Sequence, residues 1–72
     1  MDRFFRLMLE EETQVAKVHP KITTHHEAIA LIREEYLELE AEVFKRKIDK
    51  NEARKECVQL ATICKKYAEC LL

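Results

Sequence analysis

The chain has no glycine, no serine and no tryptophan, a single proline, and three cysteines among its 72 residues. Without glycine or serine there is no Gly-rich loop to cradle phosphates and no serine nucleophile for a triad. Any phosphate chemistry would fall to a metal or to cationic side chains. Cys57, Cys64 and Cys70 are odd in number and contain no Cys-x-x-Cys pair. That pattern fits neither a disulfide framework nor a zinc site and predicts a reducing, cytoplasmic setting. Long apolar runs are also missing: the longest covers residues 28–32, far short of the ~20 residues needed to span a bilayer. The first twenty residues carry Arg3, Arg6 and the run Glu10, Glu11, Glu12, so they lack the apolar core of a signal peptide. Neither sign of charge dominates. Thirteen Lys/Arg against fourteen Asp/Glu give a formal net charge of -1, which leaves no global field to hold nucleic acid or an anionic membrane.

What is present is an alternation of apolar and charged residues, 47% hydrophobic and 38% charged. Its period is helical throughout, which predicts an all-α chain of three helices forming one domain over residues 1–72. Residues 2–18 form the first helix, with Phe5, Met8, Leu9, Val15 and Ala16 at helical spacing, Lys17 and His19 near the end and Pro20 beyond. Thr24 followed by Glu27 is a capping box that starts the second helix, expected to continue to about Lys47. Asp49 with Glu52, or Asn51 alone, caps a third helix that runs to residue 72. The connection between helices two and three is short, which favours their antiparallel packing.

A core this small leaves a thin surplus over the conformational entropy lost on folding, so self-association is expected. On a helical projection Ala28, Ile29, Ile32, Tyr36, Leu39 and Val43 form one stripe of helix two, and Ala30, Leu37 and Ala41 a smaller second one. The larger stripe would pack within the chain and the smaller against a second subunit. Cys57 and Cys64 fall on the apolar face of helix three and are expected to fill core volume, with Cys70 partly exposed. His25 and His26 lie in the first turn of helix two as capping or packing residues, and Phe4, Phe5 and Met8 suit a core or an interface.

The acids are distributed less evenly. Glu35 and Glu42 flank the main stripe of helix two, Glu38 lies slightly further round, and Glu34 is one turn from Glu38. Like charges at this spacing repel, and a hard cation such as Mg²⁺, which takes oxygen ligands, relieves the repulsion. The alternative is a solvated acidic flank. Glu56 falls inside the apolar stripe of helix three, where a carboxylate is costly unless paired, neutralised or metal-bound. Gln59 lies at the edge of that stripe. In an antiparallel pair Glu56 could face Glu35 and Glu38; the alternative is a salt bridge from Glu56 to a Lys or Arg. Lys45, Arg46, Lys47, Lys50, Arg54 and Lys55 cluster around the connection, where they could steer a polyphosphate or simply complement the end of helix two.

Glu34-Glu35-x-x-Glu38, followed after seventeen residues by Glu56-x-x-Gln59, resembles the EExxE…ExxD signature of MazG-like, all-α nucleoside triphosphate pyrophosphohydrolases. The resemblance covers residues 20–72. It implies a helical bundle completed by oligomerisation to a dimer or tetramer. It also implies Mg²⁺, with Mn²⁺ as a substitute, and hydrolysis of a nucleoside triphosphate to the monophosphate and pyrophosphate. Carried over, it makes Glu34, Glu35 and Glu38 the catalytic acids, with Glu35, Glu38, Glu56 and Gln59 holding the metal. Glu34 would be a ligand or orient the attacking water; apart from the resemblance, Lys47, Lys50 and Arg54 of the basic cluster are the candidates to contact substrate phosphate. Position 59 departs from the signature, which has Asp there, and the chain is short. A non-catalytic helical interaction module with a degenerate metal site is therefore the rival expectation. Neither reading involves nucleic acid or a membrane.

Overall fold

The computed structural model describes residues 2–18 and 21–72, with side chains 14–18 set apart. The side chains of Val15, Ala16 and Lys17, and all of His19 and Pro20, lie outside the described residues. The chain is all-α: α1 spans Arg3–Val18, α2 His25–Val43 and α3 Lys50–Leu71. Among the described residues there is no strand.

Each boundary has a local cause. Asp2 accepts from the Phe5 amide at 2.8 Å and so caps the start of α1. Thr24 is extended and its hydroxyl accepts from the Glu27 amide at 3.0 Å. The return bond of the box goes from the Thr23 amide to Glu27 Oε1 at 3.4 Å, one residue earlier than the usual partner. Asp49 accepts from the amides of Asn51 and Glu52 at 2.9 and 3.2 Å. Two of the orphan N–H groups at the start of α3 are thereby satisfied.

The second helix ends at Val43, four residues before the expected stop at Lys47. Phe44 closes it with φ -86° and ψ 3°, its amide reaching Glu40 O at 3.0 Å. Residues 45–47 are three adjacent cations with no apolar side chain to anchor another turn, and intrinsic propensity alone does not extend a helix against solvent.

The third helix is central. It packs on both α1 and α2, and among the described residues these two do not touch each other. His25 Nδ1 and the Tyr67 hydroxyl share a hydrogen bond of 3.0 Å, bringing the start of α2 against the end of α3, so this pair is antiparallel. Met8 meets Thr62 and Glu12 meets Lys65, so α1 runs parallel to α3. Met8, Ile22, Ala28, Val58 and Ile63 form the buried apolar core among the described residues. At their centre the buried Thr62 hydroxyl donates to Val58 O at 2.7 Å, with Met8 O a second acceptor at 3.3 Å. The molecule measures 37 × 29 × 20 Å, so its thinnest direction is about two helix diameters.

The face of α2 turned to α3 differs from the expected stripe. Ala28, Ile32 and Leu39 turn inward as expected, but Ile29, Tyr36 and Val43 are exposed, and Glu35 and Glu42 take inward positions. Cys64 is exposed rather than in the core, Cys57 is half-buried and Cys70 is exposed. Thr62, Ile63 and Lys66 supply the buried volume around the middle of α3 instead.

Candidate metal centre

The antiparallel pairing of α2 and α3 brings acids from both helices together. One carboxylate oxygen each of Glu35, Glu38 and Glu56 lie within 4.8 Å of one another. Glu35 and Glu38 are three residues apart and so project from one side of α2, while Glu56 projects from the second turn of α3. Glu35 and Glu56 are half-buried and Glu38 is exposed. No Lys or Arg forms an ion pair with any of the three among the described residues. The expected alternative of a Glu56 salt bridge is not seen there.

Negative charge is therefore compressed, and the titration of the cluster reflects it. Burial is the main cause that lifts the Glu35 carboxyl to about 7, followed by the charge of Glu38 and a hydrogen bond to it, and by the charges of Glu56 and Glu34. Burial also raises Glu56, again with Glu38 as hydrogen-bond and charge partner, while Lys55 pulls in the opposite direction. Glu35 and Glu56 therefore hold their protons to higher pH than isolated glutamates would.

Gln59 closes the group. Its amide nitrogen, turned towards the acids, donates to Glu56 Oε2 at 2.9 Å and to Glu35 Oε2 at 3.2 Å. The opposite orientation sets its carbonyl oxygen against two carboxylate oxygens, an arrangement that requires a proton or a cation between them. Position 59 thus joins the cluster either as a neutral clamp or as a fourth oxygen.

The donor set suits a hard divalent cation. Opposed oxygens on Mg²⁺ are about 4.2 Å apart, twice a 2.1 Å bond, so oxygens spread over 4.8 Å reach one ion through small side-chain rotations. The absence of nitrogen and sulfur donors argues against zinc or copper.

Other sequence-derived candidates lie apart from this trio. Glu34 is exposed and reaches the cluster through its charge on Glu35. Lys47 and Lys50 are exposed at the connection, and Arg54 lines a separate cleft between α1 and α3. Two neighbours of the site gained importance in three dimensions. Glu42 is only 8% exposed and its charge raises Glu56. Its Oε1 accepts from Lys45 Nζ at 2.7 Å, and Oε2 lies 2.6 Å from the same nitrogen without taking a hydrogen bond. The signal for Glu42 was its position one turn beyond Glu38, and that for Lys55 its place beside Glu56.

The fold and site define an all-α chain with an acidic cluster between two antiparallel helices that makes no ion pair among the described residues. No family model matches it, and no curated protein or solved structure is similar to it. No helix among the described residues is long and apolar enough to cross a membrane.

Proposed function

We propose that this chain is a Mg²⁺-dependent nucleotide pyrophosphohydrolase of MazG type that converts a nucleoside triphosphate to the monophosphate and pyrophosphate. The observation that carries the reading is the convergence of Glu35, Glu38 and Glu56 from two helices within 4.8 Å, with no ion pair to a cation among the described residues. In it, Glu35, Glu38 and Glu56 hold the cation and Gln59 contributes its carbonyl oxygen. A cation held by these residues would supply neutralisation of charge developing on the phosphates and a more acidic bound water. Glu34, exposed beside the cluster, orients water by accepting its hydrogen bond. Lys47, Lys50 and Arg54 attract the polyphosphate from the same end of the molecule. The protein works as a cytoplasmic homo-oligomer, dimer or tetramer, a reading supported by the exposed apolar residues of α2 and by three free thiols.

A second reading has its own support. The amide of Gln59 can donate to both Glu56 and Glu35, which holds the acids together without a metal. In that case the chain is a helical interaction module with a degenerate site.

The two readings separate in one assay. Purified protein is incubated with a panel of ribo- and deoxyribonucleoside triphosphates and Mg²⁺ or Mn²⁺, and pyrophosphate is measured. The enzyme releases it, and Glu35→Gln/Glu38→Gln lowers release by about 10²-fold or more, the loss expected when charge stabilisation of a transition state is removed. Release no greater than that of the double variant would favour the interaction module.

A further inference from the structure

A cleft of about 540 Å³ opens between the N-terminal halves of α1 and α3, within the ~300–1,000 Å³ range of small-molecule sites. It is built by residues other than the acidic trio. Asn51, Arg54, Lys55 and Val58 line it from α3, a spacing of three, four and seven that presents one helix face. Leu7 and the buried Val58 provide an apolar floor.

Charge is segregated along this cleft. Arg3, Arg54 and Lys55 contribute three cations near the starts of the two parallel helices. Glu10 and Glu11 contribute carboxylates from α1, and Glu10 lies seven residues, about 10 Å, along the axis from Arg3. None of these cations pairs with either acid. Among the described residues the ion pairs are Lys45–Glu42, Lys65–Glu12 and Lys65–Glu69, and Arg54 donates one side-chain hydrogen bond, to Asn51 Oδ1 at 3.3 Å. Opposite charges thus share one cavity without collapsing onto each other.

A guanidinium and an ammonium only donate, and an ionised carboxylate only accepts. The complementary ligand carries an anionic group with several acceptor oxygens at one end and hydroxyl donors at the other, over a flat or apolar body. We infer that this cleft binds a phosphate monoester with a hydroxylated ring, of the size of a ribonucleoside monophosphate. Arg54, Lys55 and Arg3 take the phosphate, with guanidinium forks matched to its oxygens. Glu10 and Glu11 accept from the sugar hydroxyls, and Leu7 and Val58 support the ring. The inference does not depend on the acidic trio, none of which lines the cleft; Arg54 is the one residue it shares with the proposed attraction of a polyphosphate.

The experiment is titration calorimetry with amide chemical-shift mapping, done in EDTA so that no divalent ion is present, using adenosine monophosphate, ribose 5-phosphate, inorganic phosphate and adenosine. Both phosphate esters bind and move the amides of residues 3–11 and 51–58, whereas adenosine does not. Arg54→Ala and Lys55→Ala each weaken ester binding by roughly tenfold, the loss of one charge-assisted hydrogen bond. Arg3→Ala, on the other wall, does the same. Glu10→Gln/Glu11→Gln weakens the esters but not inorganic phosphate. Glu35→Gln leaves all affinities unchanged, which separates this site from the acidic cluster. The substituted cations are exposed, and circular dichroism checks that each variant keeps its helices. The inference is overturned if neither ester binds at millimolar concentration, if the cation variants bind as the parent does, or if the shifted amides are those around residues 35–38.

Discussion

Glu35 is the most informative residue because its carboxyl is shifted from 4.5 to about 7. Between those two values the folded chain holds more proton at this position than the unfolded chain. Stability contributed by Glu35 is therefore fully present below pH 4.5 and is lost as pH rises through about 7. Glu35 is only half-buried, so solvent screening reduces the effect to on the order of 1 kcal/mol, which corresponds to roughly 4–8 °C in a domain of this size. In EDTA the melting temperature of the parent should fall between pH 5 and pH 8 more steeply than that of Glu35→Gln. At pH 8 the variant should be the more stable of the two. A divalent cation reverses the order, because it binds the ionised acids: Mg²⁺ should raise the melting temperature of the parent above pH 7 and do little near pH 5. Melting curves of the two proteins with and without Mg²⁺ test this, and equal pH slopes would remove Glu35 as the origin. The spacing of these acids was legible in the sequence because Glu35, Glu38 and Glu56 each follow helical periodicity. The inward position of Glu42 was not, because its burial depends on how far α2 is rotated against α3.

At the level of elements, short-range chemistry sets where helices begin, and long-range packing sets what they bury. The Thr24 and Asp49 caps involve partners at most three residues away, so the starts of α2 and α3 could be read from the chain. Replacing Thr24 with Ala should cost about 1 kcal/mol. Burial was harder to read, since apolar residues surround α2 on several sides. Hydrophobicity alone selects the row Ile29, Tyr36, Val43, yet Ile29 is 59% exposed and Tyr36 50%. The neighbouring edge of the same stripe, Ala28, Ile32 and Leu39, wins because Ala28, fully buried, allows close approach of α3. Gln59 also offers a polar partner to Glu35 there. Ile63, only 2% exposed, is the large apolar side chain at the middle of α3. Ile63→Ala should destabilise the protein by roughly 2–5 kcal/mol, the range for a buried branched side chain that leaves a cavity. Chemical denaturation measures both variants, and a loss at Ile63 no larger than that at Thr24 would mean the core is not centred there.

At the level of the whole molecule, a slab 20 Å thick cannot enclose much apolar surface, and among the described residues five of the nine large apolar side chains left exposed lie on α2 and its C-cap. Ile29, Tyr36 and Val43 repeat every seven residues along α2, as do Leu37 and Phe44 on the adjoining row, and all five are exposed, Phe44 at 79%. Arg33 and Glu40 lie between the two rows on the helical projection, so the apolar side chains flank one charge of each sign, the mixed pattern of an interface with polar contacts inside it. The acidic cluster faces α3, so a second copy docked on these rows leaves the candidate metal centre within each subunit intact. Four of these side chains are already about half-covered, so burying each yields about half of the 1.5–3 kcal/mol it would give in full, while Phe44 yields more. Five per subunit then contribute enough to offset the translational and rotational cost of association, on the order of 4–15 kcal/mol. Sedimentation of the parent at micromolar concentration should therefore show a species of at least twice 8.6 kDa, dissociating on dilution. Leu37→Glu/Phe44→Glu, which places charge on the rows without touching a buried residue, should yield the monomer with its helices retained by circular dichroism. A parent that sediments as a monomer across the same range would show that these rows stay open to solvent, and would detach the acidic cluster from any requirement for a second subunit.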